Sequence, residues 1–278
     1  MNQNQKNLTP FGLLIESNGL DESVLSLNIS ALRNLVQKEH LIVLRGFQLE
    51  PRLDSFATYC RAWGEIAKWP FGEVLDLREQ KDPEDHIFDH NYVPLHWDGM
   101  YRPEVPEFQI FQCVTAPKEA KGGRTLFVNT KLLIERTTPD ILKDWTRVIG
   151  TYERKMEFYH SKTVAPLIDK HPFQDFPVLR YCEPTDAADK AFINHPEITF
   201  TGISNQSITG LRDSLRRLLY DPNVLYAHSW QDGDILIADN FTLLHGREAF
   251  EPGSPRHLRR VHIQSQPALK NPHLVFHI

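Results

Sequence analysis

Cysteine is scarce: only Cys60, Cys113 and Cys182 occur in 278 residues, and no two share C-x-x-C spacing. An odd, scattered set of three excludes a disulfide framework and fits buried thiols in a reducing compartment. Long apolar runs are also missing. None approaches the roughly 18 residues needed to cross a bilayer, and the polar start MNQNQKNLTP lacks the charged-then-apolar layout of a signal peptide. Together these absences predict a cytoplasmic location and no membrane partner. Neither sign of charge dominates, with 31 basic and 36 acidic residues and a net charge of −5, and no dense basic stripe offers itself to a phosphate backbone. Nucleic acid is therefore not an expected partner. No internal repeat, low-complexity tract or Gly/Ser linker divides the chain, so the sequence reads as one domain over residues 1–278. Nothing in the sequence fixes an oligomeric state, and a homo-oligomer remains open.

What is present is an ordinary globular composition, 41% hydrophobic and 24% charged, with 13 histidines and 19 prolines. That much histidine invites a search for metal ligands. Residues 30–39 place Leu32, Leu35 and Val36 at helical spacing, and the apolar strand of residues 40–44 follows, closed by Arg45-Gly46. A second helix is predicted over residues 53–66, where the spacing of Phe56, Tyr59 and Trp63 indicates core packing. A third, over residues 207–220, carries Ile208, Leu211, Leu215, Leu218 and Leu219 on one face. Short strands are predicted at residues 108–114, 125–128, 178–181, 191–193, 234–238 and 259–263. Many short strands with a few helices point to a mainly β (α+β) double-sheet fold with helical padding. Two long aromatic-bearing segments, 69–95 and 156–176, read as lid loops; they carry Trp69, Phe71, Phe88, Tyr92, Phe158, Tyr159, Phe173 and Phe176.

Chemistry concentrates in four places. His96-Trp-Asp98 is an H-x-D pair, and residues two apart on an extended segment project from one face, so imidazole and carboxylate can converge on one ion. Alone, such a pair is equally well a surface turn with a capping aspartate. His245 follows an apolar strand far downstream, and with His96 and Asp98 it would complete a 2-His-1-carboxylate set, which leaves coordination positions open on Fe(II). Arg256 and Arg260 lie on a strand-like stretch whose positions 256, 258, 260 and 262 share a face. A guanidinium there is a natural bidentate clamp for a carboxylate, the plainer alternative being a solvated basic turn. Lastly, Gly122-Gly123 opens the strand bearing Thr125, where glycines allow close backbone approach and the hydroxyl can donate to a ligand oxygen.

The order of these motifs resembles the TauD/TfdA family of Fe(II)- and 2-oxoglutarate-dependent dioxygenases. The resemblance spans roughly residues 30–265. It also takes in Leu44-Arg-Gly46, the segment of residues 176–180, Phe192-Ile-Asn194 and the run from Asp232-Gly-Asp234 to Asn240. It implies a double-stranded β-helix (jelly-roll, cupin-like) fold and an oxidoreductase that uses Fe(II), 2-oxoglutarate and O2 on a small-molecule substrate. By the same resemblance His96, Asp98 and His245 would hold iron, Thr125 and Arg256 the distal carboxylate of 2-oxoglutarate, and Arg260 an anionic group of the substrate. Because the position of Asp98 is not Ala or Gly, halide binding in its place is disfavoured.

The segments His96-Trp-Asp-Gly-Met-Tyr101 and 256–263 are further similar to the branch of this family that works in isocyanide (isonitrile) biosynthesis. That similarity implies desaturation of a tyrosine-derived isonitrile, with or without loss of its carboxylate. Two alternatives stand beside it: a plain hydroxylase of a sulfonate, sulfate ester or amino acid, and a noncatalytic or hydrolytic metal-binding jelly roll. Against the latter, a structural zinc site normally has four protein ligands, which the three cysteines are not placed to supply. His228, His257 and His262 read as packing or surface groups.

Overall fold

Alternate residues along the strand Leu41–Arg45 face two different cores: Leu41 and Val43 one, Ile42 and Leu44 the other. A strand buried on both faces has to lie inside a sheet covered on both sides. It does so in the computed structural model, which describes residues 4–19, 21–69, 72–117, 122–157, 159–185 and 192–278. Leu41–Arg45 lies within a seven-stranded sheet ordered Asn4–Asn7, Leu13–Glu16, Leu41–Arg45, Ile235–Asp239, Phe108–Thr115, His257–Ile263 and Leu75–Arg78. Every pairing in it is antiparallel except that of Leu13–Glu16 with Leu41–Arg45.

A second antiparallel sheet of four strands, Leu225–His228, Thr125–Asn129, Leu243–Arg247 and Val93–His96, provides the opposite wall. Phe111, Cys113, Leu236 and Leu258 of the large sheet share a core with Phe127 and Leu243 of the small one. This is the jelly-roll interior. The helices Ile29–Glu39 and Leu53–Trp63 cover the far face of the large sheet with Leu32, Val36, Phe56, Tyr59 and Trp63. The Asn28 side chain accepts from Ala31 N, capping the first of them. Behind the small sheet, the helix Asn205–Leu219 and a third sheet containing Ile149–Met156 and Tyr159–Pro166 enclose a further core.

The predicted helices and most predicted strands form within a few residues of their expected bounds. The segments read as lids are more regular than expected. The first contains Leu75–Arg78, paired with His257–Arg260 at the edge of the large sheet, the 3-10 turn His86–Phe88, and the start of Val93–His96. The second contains Tyr159–Pro166 and Ile168–Lys170. Phe71, Phe158, Lys121 and Ala191 lie outside the described residues, and Phe192-Ile193 belongs to no strand. No helix among the described residues is long and apolar enough to cross a membrane.

Candidate active site

Antiparallel pairing of Leu243–Arg247 with Val93–His96 sets His245 directly across from His96, with ring centroids 4.2 Å apart. This closeness needs Gly246, because a Cβ there would lie 2.6 Å from the Val93 carbonyl oxygen. Asp98 follows two residues after His96. His96 Nε2 is 3.5 Å from Asp98 Oδ1, His245 Nε2 is 3.6 Å from Asp98 Oδ2, and one donor atom from each of the three lies within 4.8 Å of the others. Bonds of about 2.1 Å at right angles to one ion would put neighbouring ligand atoms about 3 Å apart, so small shifts suffice to close this set on a metal. Two imidazoles and one carboxylate gathered on one side suit non-haem Fe(II), with the other side left for small ligands.

Protonation favours ligation. His96 Nδ1 lies 2.8 Å from the Pro94 carbonyl and donates to it, which fixes the ring with Nε2 towards Asp98. Burial, followed by the neighbouring His96, holds the His245 pKa well below the ordinary range, so the ring is neutral. Burial alone would raise the Asp98 pKa, but the Arg260 cation, together with the hydrogen bond from His262, outweighs it and holds the carboxyl well below the usual range.

Asp98 is held by several partners. Its Oδ2 lies 2.6 Å from His262 Nε2, 2.9 Å from Gln109 Nε2 and 3.0 Å from Arg260 Nη1, and its backbone N–H donates to Asn240 Oδ1. Gln109 Nε2 also lies 3.1 Å from both Asn240 Oδ1 and His245 Nδ1. Reading the sequence did not assign Gln109 or His262 to the site, and His262 is corrected from a packing group to a hydrogen-bond partner of Asp98. Signals for both were present. Position 262 shares the strand face of positions 256, 258 and 260, and Gln109 is one of two glutamines in a mostly apolar strand, FQIFQCVT.

Arg256, the first of the two arginines, lies just before the strand His257–Ile263 and is 3% exposed. Its Nε donates to the Gly123 carbonyl at 2.9 Å, and one Nη donates to Thr125 Oγ1 at 3.4 Å. The glycine turn is thus the cradle of this arginine: a Cβ on Gly123 would come within 3.1 Å of Arg256 Cδ. Among the described residues Arg256 has no carboxylate partner. Burial, with Arg247 adding to it, pushes its pKa down to about 9. A buried cation without a counter-ion is a receptor for an anion. Thr125 Oγ1 accepts from Trp230 Nε1 at 2.9 Å, leaving its own proton free to donate. Arg260 lies instead beside the metal cluster, with Nη1 3.3 Å from His245 Nε2.

Other motifs serve the frame. Arg45 clamps the fully buried Asp234 through Nε at 2.8 Å and Nη2 at 2.7 Å, and His228 Nε2 meets the same carboxylate at 3.1 Å. Arg247 donates to the carbonyls of Ile87 and Asn91 at 3.0 and 2.5 Å, tying the segment of residues 87–91 to the small sheet.

Comparison with known proteins agrees with this geometry. The chain is 48% identical to tyrosine isonitrile desaturase of Pseudomonas aeruginosa over 97% of its length and 93% of that protein's. It is 39% identical to 3-((Z)-2-isocyanoethenyl)-1H-indole synthase of Fischerella ambigua, covering 93% and 94%. A solved structure of PvcB, described as an Fe, alpha-ketoglutarate dependent oxygenase from an isonitrile synthetic pathway, has a TM-score of 0.81 and 45% identity, covering 96% of this chain and 90% of that one. With the profile of the taurine catabolism dioxygenase TauD, TfdA family matching residues 5–262, the chain belongs to the TauD/TfdA family.

Proposed function

We propose that this protein is an Fe(II)- and 2-oxoglutarate-dependent oxygenase that desaturates a tyrosine-derived isonitrile, and that residues 1–278 act as one catalytic unit. The observation that carries the reading is the pairing, within one jelly-roll interior, of a His96–Asp98–His245 ligand set with the uncompensated cation of Arg256. A metal-binding module or a hydrolase has no use for that buried arginine. The 48% identity to a tyrosine isonitrile desaturase supports the choice of substrate.

His96, Asp98 and His245 would hold the iron. With O2 and 2-oxoglutarate, bound iron supplies a two-electron oxidation: the oxo acid leaves as succinate and CO2, and the substrate gives up two hydrogens as water. The protein's own groups do the positioning. Arg256 and Thr125 hold the distal carboxylate of 2-oxoglutarate where water is excluded and each charge-assisted hydrogen bond is strong. Arg260 places a cation beside the metal cluster for the substrate's carboxylate, and His262 and Gln109 fix the rotation of Asp98. The aromatic side chain then extends away from the metal, presenting the benzylic carbon.

The test is iron- and O2-dependent conversion of 2-oxoglutarate to succinate, stimulated by the isonitrile of tyrosine and abolished by His96→Ala. Product mass separates the outcomes. Loss of two hydrogens indicates an acrylate, further loss of CO2 indicates a vinyl isonitrile, and gain of one oxygen would mean a hydroxylase and overturn the assignment.

A further inference from the structure

Next to the His96–Asp98–His245 set lies a cavity of about 160 Å3 whose lining includes His96, Asp98 and Arg260 and also Arg154 and Tyr101. Apolar groups, among them Ile87, Pro94, Met100 and Phe192, line it as well. Arg154 forms an ion pair with Asp85, its Nη2 donating to Oδ2 at 2.8 Å, and both side chains are nearly buried at 13% and 14% exposed. Arg102, another cation on the wall, lies over the Trp69 ring at 4.6 Å and donates to the Lys68 carbonyl at 2.9 Å. As a pair, Arg154 and Asp85 carry no net charge.

The cavity wall offers unused hydrogen-bonding capacity. Arg154 Nε and Tyr101 Oη are buried, and neither has a partner among the described residues. A buried donor left unmade costs about 1–3 kcal/mol, so two in one cavity wall call for an explanation. Burial pushes the Tyr101 pKa well up, so its hydroxyl keeps its proton. Burial works against the charge of Arg154, but Asp85 outweighs it and the guanidinium stays cationic.

We propose that Arg154 and Tyr101 form the hydroxyl-recognising end of the substrate pocket, with Arg154 Nε–H and the Tyr101 hydroxyl both donating to the phenolic oxygen. This deepens, and rests on, the desaturase reading above. A phenol is neutral and its oxygen has two lone pairs, which matches one free N–H and one free hydroxyl beside a neutral ion pair. An unsubstituted phenyl ring would leave both groups unpaired. An indole N–H is a donor only and cannot satisfy Arg154 Nε–H. The two ends of the pocket thus take different parts of the substrate: Arg260 its carboxylate, Arg154 and Tyr101 its hydroxyl.

The test compares kcat/KM of the iron-loaded enzyme for the isonitriles of tyrosine, phenylalanine and tryptophan, in the wild type and in Tyr101→Phe. The wild type should favour the tyrosine compound over the phenylalanine compound by about 10- to 100-fold, mostly through KM, because the hydroxyl is remote from the reacting carbon and its contacts are alike in ground and transition states. Tyr101→Phe removes one oxygen, and should shrink that preference several-fold by weakening the tyrosine compound alone. Comparable wild-type efficiency toward the tyrosine and phenylalanine compounds would overturn the proposal without any variant. So would an equal loss toward both compounds in Tyr101→Phe, the mark of a purely structural role. If no aromatic isonitrile stimulates succinate formation, the reaction assignment itself fails and this proposal with it.

Discussion

At the scale of single residues, Arg256 makes the clearest separation between stability and function. Arg256 is 3% exposed, and its guanidinium meets the Gly123 carbonyl, the Thr125 hydroxyl and the Phe250 ring but no carboxylate among the described residues, so it has lost its hydration without gaining a counter-charge. Arg256→Met keeps the volume and removes the charge. The variant should unfold in urea with a stability higher by about 1–4 kcal/mol in the absence of 2-oxoglutarate, while its 2-oxoglutarate affinity, followed by calorimetry with Mn(II) in place of iron, falls at least about 100-fold. A less stable variant would mean that the cation is compensated in the folded protein. His262 acts differently, through Asp98 Oδ2 at 2.6 Å. His262→Gln should weaken metal affinity by about 10- to 100-fold, as loss of outer hydrogen-bond partners commonly does, with little change in the urea midpoint. Metal titration of the two proteins decides it. These residues also mark what the sequence made legible. His96, Asp98 and His245 stood out by spacing, and Arg256 by its place beyond His245. A histidine or glutamine that acts by hydrogen-bonding a ligand has no spacing of its own, so His262 looked like a packing group and Gln109 went unnoticed.

At the scale of elements, the site depends on how closely two short strands approach. Leu243–Arg247 and Val93–His96 pair with a register shift between His245 and Arg247, and Gly246 sits where a Cβ would lie 2.6 Å from the Val93 carbonyl oxygen. Backbone cannot yield as a flexible side chain can. Gly246→Ala should therefore push the strands apart, destabilise the fold by about 1–3 kcal/mol and separate His245 from His96. Denaturation together with Mn(II) titration checks both effects; a variant of native stability with native metal affinity would show that the approach has slack. The helices and central strands were readable because their apolar periodicity is regular. The Leu75–Arg78 strand was not. It is short and half charged, as edge strands often are, and it lies in a proline-bearing segment whose order comes from partners distant in sequence, His257–Arg260 beside it and Arg247 behind the 86–91 turn.

At the scale of the whole molecule, the histidine surplus bears on stability more than on catalysis. Besides His245, four buried histidines, His86, His171, His228 and His262, have pKa values lowered first of all by burial, that of His171 to about 4. Each is neutral in the folded protein at pH 7 and protonates near pH 6.5 once unfolded. Between the folded and unfolded values the unfolded chain binds more protons, so stability must fall as pH drops below about 6.5. The buried carboxylates add a later stage. Burial would raise the pKa values of Asp98 and Asp234, but their cationic neighbours hold both below the ordinary value, and the stability this confers is present above about pH 4 and lost as the pH falls through the lowered values. The protein should therefore lose stability to acid in two steps, the first while its carboxylates are still ionised. Urea midpoints measured from pH 7.5 to pH 4.5, with a chelator present so that metal binding does not enter, should decline steadily at constant m-value. A midpoint that stayed flat down to pH 5 would mean that these histidines protonate freely in the folded state, and that the polar interior around Asp98 admits a second positive charge.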